Sequence, residues 1–367
     1  MNDVVVIGGG VSGLMTAKYL VEAGASVTVI DRQDCAREAS WAGGGIVSPL
    51  YPWRYRRCVN ELARHSIAEY PQVVTALTEA TGIDPEFSRP GIYYIDVDDT
   101  DDILEWARAL SATVLPQEGP SIGASLPTLS HRYDSGVFMP GLGSLRTPRL
   151  GQALRRWAQE SPHVRLLEGV EVKRVRIDQS RAIGVETSHS LLSAGDVVVC
   201  SGAWSGELLA ANRITLPVYP VKGQMLLFKA SPEFLSHVVL SHGFYAIPRR
   251  DGHVLVGSTF EEVGFDKTPS EQARALLFDQ ALDLFPALID CPVVHHWAGL
   301  RPGAPDSIPH IGPVADIKGL WVNAGHFGNG VVLAPGASRL LVEQMTGDPC
   351  CVDPASYHTA LKNCAMG

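Results

Sequence analysis

The segment VVVIGGGVSG at residues 4–13 decides the fold of this chain. Its apolar residues predict a short buried strand, and the glycines that follow have the spacing G-x-G-x-x-G before a helical pattern over residues 14–23. A second apolar strand, residues 26–30, ends at Asp31. Strand, helix and strand make a βαβ unit. Because the crossover helix must cover one face of a sheet, that sheet is predicted to be parallel.

Each glycine of this segment has its own purpose in a dinucleotide site. Gly8 permits a tight turn, Gly10 lets backbone N–H groups approach a pyrophosphate, and Gly13 lets the helix pack closely on the strand. The helix N-terminus adds the positive end of its dipole, and Asp31 is placed to accept hydrogen bonds from a ribose. A fortuitous glycine-rich turn is the alternative. The residues of this unit predicted to bind the cofactor are Gly8, Gly10, Val11, Ser12, Gly13, Asp31 and Arg32.

Two further glycine-rich loops favour FAD over NAD as the dinucleotide. The loop at residues 40–46 follows the second strand, and its small residues would let backbone donors approach the edge of an isoalloxazine ring. The loop at residues 325–330 opens a helix, which suits N–H groups that face the flavin pyrimidine oxygen. An ordinary glycine-rich connection is the alternative for the first loop. The predicted cofactor contacts here are Ser40, Trp41, Ala42, Gly43, Gly44, His326, Phe327, Gly328, Asn329, Gly330 and Val331, with Val172, Gly202 and Trp204 completing the set.

The size and composition of the chain predict a soluble protein of two domains. It has 367 residues, of which 46% are hydrophobic and 19% charged. A net charge of −9 without a long basic run argues against nucleic acid as a partner. Seven irregularly spaced cysteines indicate a reducing, cytoplasmic location. Lys18 and Glu22 interrupt the apolar N-terminal region, which therefore predicts neither a signal peptide nor a membrane span. Homo-oligomer formation is left open.

The strand pattern predicts that the first domain is discontinuous. Residues 164–167, 170–177 and 182–186 resemble a β-meander, and residues 196–199 read as a buried strand that returns to the parallel sheet. Alternating strands between about residues 213 and 300, with a helix near residues 271–284, predict a mostly antiparallel sheet. The predicted fold class is α/β. An FAD-binding, Rossmann-like parallel-sheet domain covers residues 1–84, 140–212 and 300–367, and an α+β substrate-binding domain with the antiparallel sheet covers residues 85–139 and 213–299.

A set of short motifs gives the chain a specific resemblance. In chain order they are VIGGG at 6–10, SGAWS at 201–205, PVKGQ at 220–224, YAIPR at 245–249, WAGLRP at 297–302 and AGHF at 324–327. In this combination the chain resembles the D-amino-acid oxidase family, and within it the glycine oxidase branch of thiamine biosynthesis. The similarity covers nearly the whole chain in order.

The resemblance implies a two-domain FAD oxidase that converts glycine, sarcosine and small D-amino acids to imino acids and reduces O₂ to H₂O₂. Arg301 occupies the position of the family's carboxylate-binding arginine, where it also contacts the cofactor. Tyr245 occupies that of a tyrosine whose hydroxyl reaches the same carboxylate. A planar guanidinium can hold a carboxylate through two parallel hydrogen bonds. The alternatives are a structural ion pair for Arg301 and a core or interface role for Tyr245.

The chain departs from the better-known glycine oxidases at three positions, which leaves its substrate preference open. Those enzymes have a second arginine where this chain has Gly328, a methionine near the substrate where it has Phe260, and a polar residue where it has Gly243. Phe260 either restricts the pocket or packs within the substrate domain.

Two other functions stay open at the level of sequence. One is a D-amino-acid dehydrogenase that passes electrons to a quinone or protein acceptor. The other is a non-catalytic, FAD-bearing subunit of a larger assembly, against which the presence of both Arg301 and Tyr245 argues.

FAD is predicted to be noncovalent, because residues 301–313 contain no cysteine. No His, Asp and Glu set has metal spacing, and His295, His296 and His326 are predicted to pack or to contact the cofactor.

Overall fold

The computed structural model of the protein describes residues 3–358. In chain order its strands are β1 (Val4–Ile7), β2 (Val27–Ile30), β3 (Ile92–Ile95), β4 (Leu115–Glu118), β5 (Ser135–Met139), β6 (Val164–Leu167), β7 (Val172–Asp178), β8 (Arg181–Thr187), β9 (Leu191–Ser193), β10 (Asp196–Val199), β11 (Tyr219–Lys229), β12 (Val238–Ser241), β13 (Phe244–Pro248), β14 (His253–Gly257), β15 (Val293–Gly303), β16 (His310–Pro313) and β17 (Leu320–Ala324). Its α-helices are α1 (Val11–Glu22), α2 (Ala39–Ala42), α3 (Arg57–Thr81), α4 (Thr100–Leu110), α5 (Gly119–Ser125), α6 (Thr147–Glu160), α7 (Ser205–Ala210), α8 (Glu271–Leu284) and α9 (Gly330–Thr346).

Among residues 3–358, the first sheet has six strands in the order β16-β17-β10-β1-β2-β6. β1 pairs in parallel with β2 on one side and β10 on the other, and β6 and β17 extend the parallel pairing outward. β16 runs antiparallel beside β17. These pairings confirm the predicted βαβ unit and the predicted return of residues 196–199 to the parallel sheet.

The predicted meander is wrong in one strand. Residues 164–167 form β6, which pairs in parallel with β2 at the edge of the first sheet. α6 leads into β6 and packs on α1, so the crossover delivers β6 beside β2 in the parallel direction. The antiparallel three-stranded sheet consists instead of β7, β8 and β9. Leu191–Ser193 therefore takes the place that the sequence analysis assigned to residues 164–167.

The second sheet is mostly antiparallel, as predicted, and in the described part of the chain it has eight strands in the order β15-β11-β14-β13-β12-β3-β5-β4. β12 and β3 pair in parallel, while the other neighbours are antiparallel. The long β11 and β15 pair from Tyr219 opposite Gly303 to Phe228 opposite Val293. α8 has the predicted bounds, and the Ser270 hydroxyl caps its N-terminus by accepting the Ala273 N–H at 3.3 Å.

The glycine segment packs as its spacing predicts. Gly8 has a φ of +105°, and a Cβ there would lie 2.4 Å from the carbonyl oxygen of Cys200. A Cβ at Gly13 would lie 1.8 Å from the carbonyl oxygen of Gly8. Any side chain at Gly13 would therefore push α1 away from β1. One face of the parallel sheet is buried under α1, α3, α6 and α9, and the other packs on the three-stranded sheet and α7.

Each strand of the two large sheets lies within the residue ranges predicted for its domain, with one exception. The six strands of the parallel sheet lie within residues 1–84, 140–212 and 300–367, and β15 of the second sheet continues to Gly303, past the proposed boundary at residue 300. We keep this division into a cofactor domain and a substrate domain as a proposal. Within residues 3–358, no helix combines the length and the apolar character needed to cross a membrane.

Candidate functional site

A cavity of about 690 Å³ lies between the carboxyl ends of the parallel strands and the second sheet. Ile7, Ile30 and Cys200, at the ends of β1, β2 and β10, contribute to its wall. Ligands of open α/β sheets bind at this edge, and the volume falls within the range of cofactor pockets. The second sheet supplies the opposite wall through Met225 and Tyr245.

Most of the predicted site residues line this cavity. They are Gly8, Gly10, Val11, Ser12, Asp31, Arg32, Ser40, Gly43, Gly44, Val172, Gly202, Trp204, Tyr245, Arg301, His326, Phe327, Gly328, Gly330 and Val331. Residues far apart in the sequence thus meet at one site. Their roles as ligand contacts stay predictions, which the functional proposal below takes up.

Four predicted cofactor contacts do not line the cavity. Gly13 faces the carbonyl of Gly8, as described above. Trp41 packs edge-on against Trp297, with ring centroids 5.5 Å apart. Ala42 faces the second sheet, where a Cβ at Gly299 would lie 2.4 Å from its own Cβ. Asn329 is 1% exposed. Trp41 and Ala42 thus direct their side chains to β15.

The N-terminus of α1 is open to an anion at the cavity wall. Gly10 caps the helix without a side chain, and no acidic residue lies in its first turn. The Val11 N–H donates to the Ser40 hydroxyl at 2.8 Å, and a Cβ at Gly10 would lie 3.1 Å from that oxygen. Backbone N–H groups and the positive end of the helix dipole therefore face the cavity, which suits a pyrophosphate.

Asp31 lies next to this helix terminus, at the end of β2. Its carboxylate accepts the Gly9 N–H at 2.7 Å and the Gln33 N–H at 2.9 Å. Burial raises the pKa of Asp31, while these backbone donors and the adjacent Arg32 oppose the shift. The carboxylate lines the cavity with lone pairs to spare, as a ribose acceptor requires.

An aromatic stack closes this end of the cavity. The Arg32 guanidinium lies 3.9 Å from the centre of the Trp204 ring, and Phe265 stacks on Trp204 at 5.4 Å with an interplanar angle of 21°. Phe265 belongs to the loop between β14 and α8, and Lys267 of the same loop pairs with Glu38 at 2.9 Å. The loop that follows β14 of the second sheet therefore covers the end of the cavity that contains Arg32 and Trp204. Sequence reasoning missed Phe265 because no local pattern marks a contact between such distant segments.

Arg301 lies on β15 and projects into the cavity from the side of the second sheet. One guanidinium nitrogen donates to the Ser258 hydroxyl at 2.5 Å and the other to the Thr259 carbonyl at 3.1 Å. Within residues 3–358 no carboxylate lies within ion-pair distance of Arg301. The structural ion pair considered above is therefore not found, and the charge faces the cavity without a protein anion. Ser258, which the sequence analysis missed, also lines the cavity.

Tyr245 lies on β13 in the same wall and is 5% exposed. The Tyr245 ring lies close to Gly257 of β14 and to Gly44 of the glycine loop. A Cβ at Gly257 would be 2.9 Å from the ring, and a Cβ at Gly44 would be 3.1 Å from the ring. Among the described residues its hydroxyl meets a weak acceptor, the Met225 sulfur at 4.0 Å. The hydroxyl thus keeps its capacity for a stronger partner in the cavity.

His326 is 2% exposed and lines the cavity at the start of the last glycine loop. Neither ring nitrogen has a well-formed hydrogen bond within residues 3–358, although the Asn323 backbone lies near enough to favour protonation slightly. Burial nevertheless lowers the pKa of His326 to about 4, so the ring is neutral at pH 7. A buried ring without good partners, facing a cavity, fits a residue that contacts a polar cofactor.

Phe260 and Gly243, two of the three departures from the family pattern, do not themselves line the cavity. Phe260 is 60% exposed, and its ring meets Phe327 of the cavity wall edge-on at 6.0 Å, so its effect on the pocket stays a prediction. The Gly243 N–H donates to the Tyr51 hydroxyl at 2.9 Å. His296 lies 3.0 Å from the Gln224 side chain and has a structural contact there.

The cavity combines an anion-binding helix terminus, a ribose acceptor, a glycine loop beside a buried histidine and an unpaired guanidinium. These features fit FAD together with an anionic substrate, and they define an FAD-dependent oxidoreductase. Residues 3–344 match the DAO family, described as FAD dependent oxidoreductase. The chain belongs to this family, and FAD is its cofactor.

Individual relatives are similar over nearly the whole chain. A glycine oxidase of Pseudomonas aeruginosa is 47% identical over 97% of this chain and 98% of its own length. The crystal structure of glycine oxidase from Geobacillus kaustophilus has a TM-score of 0.93 at 28% identity and covers 100% of this chain and 99% of that one. A bifunctional protein ThiO/ThiG of Trichormus variabilis is 31% identical over 93% of this chain, which spans 52% of that protein.

Proposed function

We propose that this protein oxidises glycine and other small amino acids, including sarcosine and small D-amino acids, to the imino acids, with O₂ reduced to H₂O₂. Its family and its glycine oxidase relatives identify an FAD-dependent amino-acid oxidase. The observation that carries the choice of substrate is Arg301, a guanidinium that faces the cavity and forms no ion pair with a carboxylate of residues 3–358.

Arg301 and Tyr245 have the chemistry to hold the carboxylate of an amino acid. The guanidinium offers planar N–H donors that can make two charge-assisted hydrogen bonds to one carboxylate. The Tyr245 hydroxyl adds a donor from β13, which belongs to the same sheet and lines the same cavity. Bound FAD supplies the chemistry by accepting a hydride from the α-carbon. The protein's part is then to align that carbon and to keep water away.

Apolar side chains surround this end of the cavity and support the exclusion of water. Met225 is 5% exposed and Ile46 is 8% exposed, and both line the cavity with Leu50 and Leu300. Low exposure strengthens the interaction between Arg301 and a carboxylate, since fewer waters compete for the charge. Within the described wall we assign no side chain as a general base, because a neutral substrate amine needs none for hydride loss.

A place in thiamine biosynthesis is part of this proposal. It is supported by the relative whose name joins ThiO to ThiG, a chain about twice as long as this one. The cytoplasmic location rests on the sequence alone and stays a prediction, as does noncovalent attachment of FAD.

Anaerobic addition of glycine to the FAD-loaded protein tests the proposal directly. We expect the visible absorption of the flavin to bleach, and to recover when air is admitted. Bleaching that recovers only with an artificial electron acceptor would instead indicate the dehydrogenase. If neither glycine, sarcosine nor any D-amino acid bleaches the flavin, the protein is not an amino-acid oxidase, and the non-catalytic subunit becomes the better reading.

A further inference from the structure

The glycine loop at residues 42–45 is held from outside the cavity by its carbonyl groups. The carbonyl of Ala42 accepts from the Trp297 indole at 3.1 Å, and that of Gly43 accepts from the Thr147 hydroxyl at 2.7 Å. The two next carbonyls accept from the Arg249 guanidinium at 2.8 Å and from the Leu145 N–H at 2.9 Å. Four consecutive carbonyls therefore point toward the surrounding structure.

The opposite side of the same peptides faces the cavity. In a trans peptide the N–H points away from the C=O, so the N–H groups that follow these carbonyls are directed to the other side. None of the hydrogen bonds within residues 3–358 uses the N–H of Gly44, Gly45 or Ile46. All three residues line the cavity. The loop thus presents unused donors to the cavity wall.

Arg249 has an unusual position among the groups that hold the loop. Its guanidinium donates to the Gly44 carbonyl and to the Leu145 carbonyl, both at 2.8 Å, and so ties the loop to the segment before α6. The residue is 9% exposed, and within residues 3–358 it makes no ion pair. Burial lowers its pKa to about 10, so it stays charged at neutral pH. A buried charge is costly, and here carbonyl oxygens are its direct partners.

We infer that Arg249 and Thr147 are positioning residues. They orient the N–H groups of the glycine loop toward the flavin ring. The inference rests on the proposed function in one respect, namely that the reactive ring of FAD lies beside this loop and Tyr245. Arg249 itself does not touch the substrate. It acts through the peptide between Gly44 and Gly45. Trp297 and the Leu145 N–H complete the holding set.

Sulfite binding reports on this arrangement without any substrate. Sulfite donates an electron pair to N5 of an oxidised flavin and bleaches its visible absorption, so its dissociation constant is sensitive to hydrogen-bond donors at that edge. In the FAD-loaded Arg249→Lys variant, the charge remains but the planar fork is lost. We expect the sulfite dissociation constant to rise at least about tenfold, with a change in the shape of the flavin spectrum.

Arg250→Lys is the matched control. Arg250 is the next residue, it is exposed, and it donates to Asp84 at 2.6 Å and to the Phe87 carbonyl at 3.3 Å, away from the glycine loop. This variant should keep the wild-type sulfite constant and spectrum. If Arg249→Lys does not fold, Thr147→Val removes the donor to the Gly43 carbonyl in a side chain of similar shape. It should raise the sulfite constant in the same direction.

The outcomes separate this inference from the proposed function. The inference is overturned if a folded Arg249→Lys variant keeps the wild-type sulfite binding and flavin spectrum. Thr147→Val takes the place of that variant if Arg249→Lys does not fold. This holds even where glycine still reduces the flavin. A weaker sulfite complex in these variants supports it even where glycine fails as a substrate. An equal weakening of sulfite binding in Arg250→Lys would show a general effect of substitution in this segment. That result would also overturn the inference.

Discussion

The Arg301 guanidinium lies over the Cα of Gly223, where a Cβ would be 2.2 Å from one terminal nitrogen and 2.3 Å from the other. Gly223 pairs with Gly299 across β11 and β15, and Arg301 lies two residues further along β15. The side chain therefore crosses the neighbouring strand diagonally. It can do so because Gly223 leaves room.

Gly223→Ala should displace the guanidinium while sparing the fold. The clashing atoms belong to the far end of a flexible side chain, so Arg301 can move and the strands can stay. We expect the KM for glycine to rise at least about tenfold, because the carboxylate loses a charge-assisted partner. Steady-state kinetics and a thermal melt measure both effects. Gly123→Ala is the control, since a Cβ at Gly123 meets nothing within 4 Å. Unchanged KM in Gly223→Ala would contradict this role of the close approach.

Arg301→Ala should weaken substrate binding by about 2–5 kcal/mol, as expected for removal of one partner of a desolvated charge pair. Arg301→Lys restores the charge but not the planar fork, so its KM should lie between those of wild type and the alanine variant. The measurements are steady-state KM and the rate of anaerobic flavin reduction at a series of glycine concentrations. Wild-type affinity in Arg301→Ala would remove this residue from the site.

Phe265→Ala should release FAD faster, since the ring covers Trp204 at the cofactor end. A stacked aromatic pair contributes about 0.5–1.5 kcal/mol, which corresponds to roughly a 2- to 12-fold change in the dissociation constant. Flavin fluorescence after dilution follows the release. Val263→Ala is the matched control from the same loop, because Val263 is 46% exposed. Equal release rates in the two variants would show that the stack does not retain the cofactor.

The parts of the fold that could be predicted are those encoded locally. The glycine segment specifies β1 and α1 because its spacing demands a turn and a close contact within a few residues. The bounds of α8 follow from its own sequence and the Ser270 cap. In contrast, β6 was assigned to the wrong sheet, because alternation of apolar residues does not say which strand will be the neighbour.

The site shows the same division between local and distant signals. Gly8, Gly10 and Asp31 are found by their spacing, and Arg301 and Tyr245 are found through the family resemblance. The side chains of Trp41 and Ala42 contact β15, which the sequence of the loop alone does not show, and their role at the cofactor stays a prediction. Phe265 could not be found at all, because its stack on Trp204 joins segments about 60 residues apart, which follow strands of two different sheets.

His326 gives the protein a pH-dependent stability. Its pKa of about 4 in the folded state lies below the usual 6.5, because burial disfavours the charged ring. Between these values the unfolded chain binds a proton that the folded chain does not. The stabilising contribution is therefore fully present above pH 6.5 and is lost as the pH falls toward 4, with a total of roughly 3 kcal/mol.

Urea unfolding of wild type and His326→Gln at a series of pH values tests this, with FAD at one saturating concentration. The variant lacks the titrating ring, so its free energy of unfolding should fall less between pH 6.5 and 4. Parallel curves for the two proteins would contradict the assigned pKa shift.

Tyr245→Phe should raise the KM for glycine about fivefold and change the rate of flavin reduction little. The substitution keeps the ring that lies on Gly257 and Gly44 and removes the hydroxyl, whose loss as one hydrogen-bond donor is worth about 1 kcal/mol. Stopped-flow reduction at several glycine concentrations separates binding from hydride transfer. Tyr133→Phe is the control, since that hydroxyl donates to Asp283 at 2.7 Å and does not line the cavity. A Tyr245→Phe variant with wild-type KM would assign this tyrosine to packing alone.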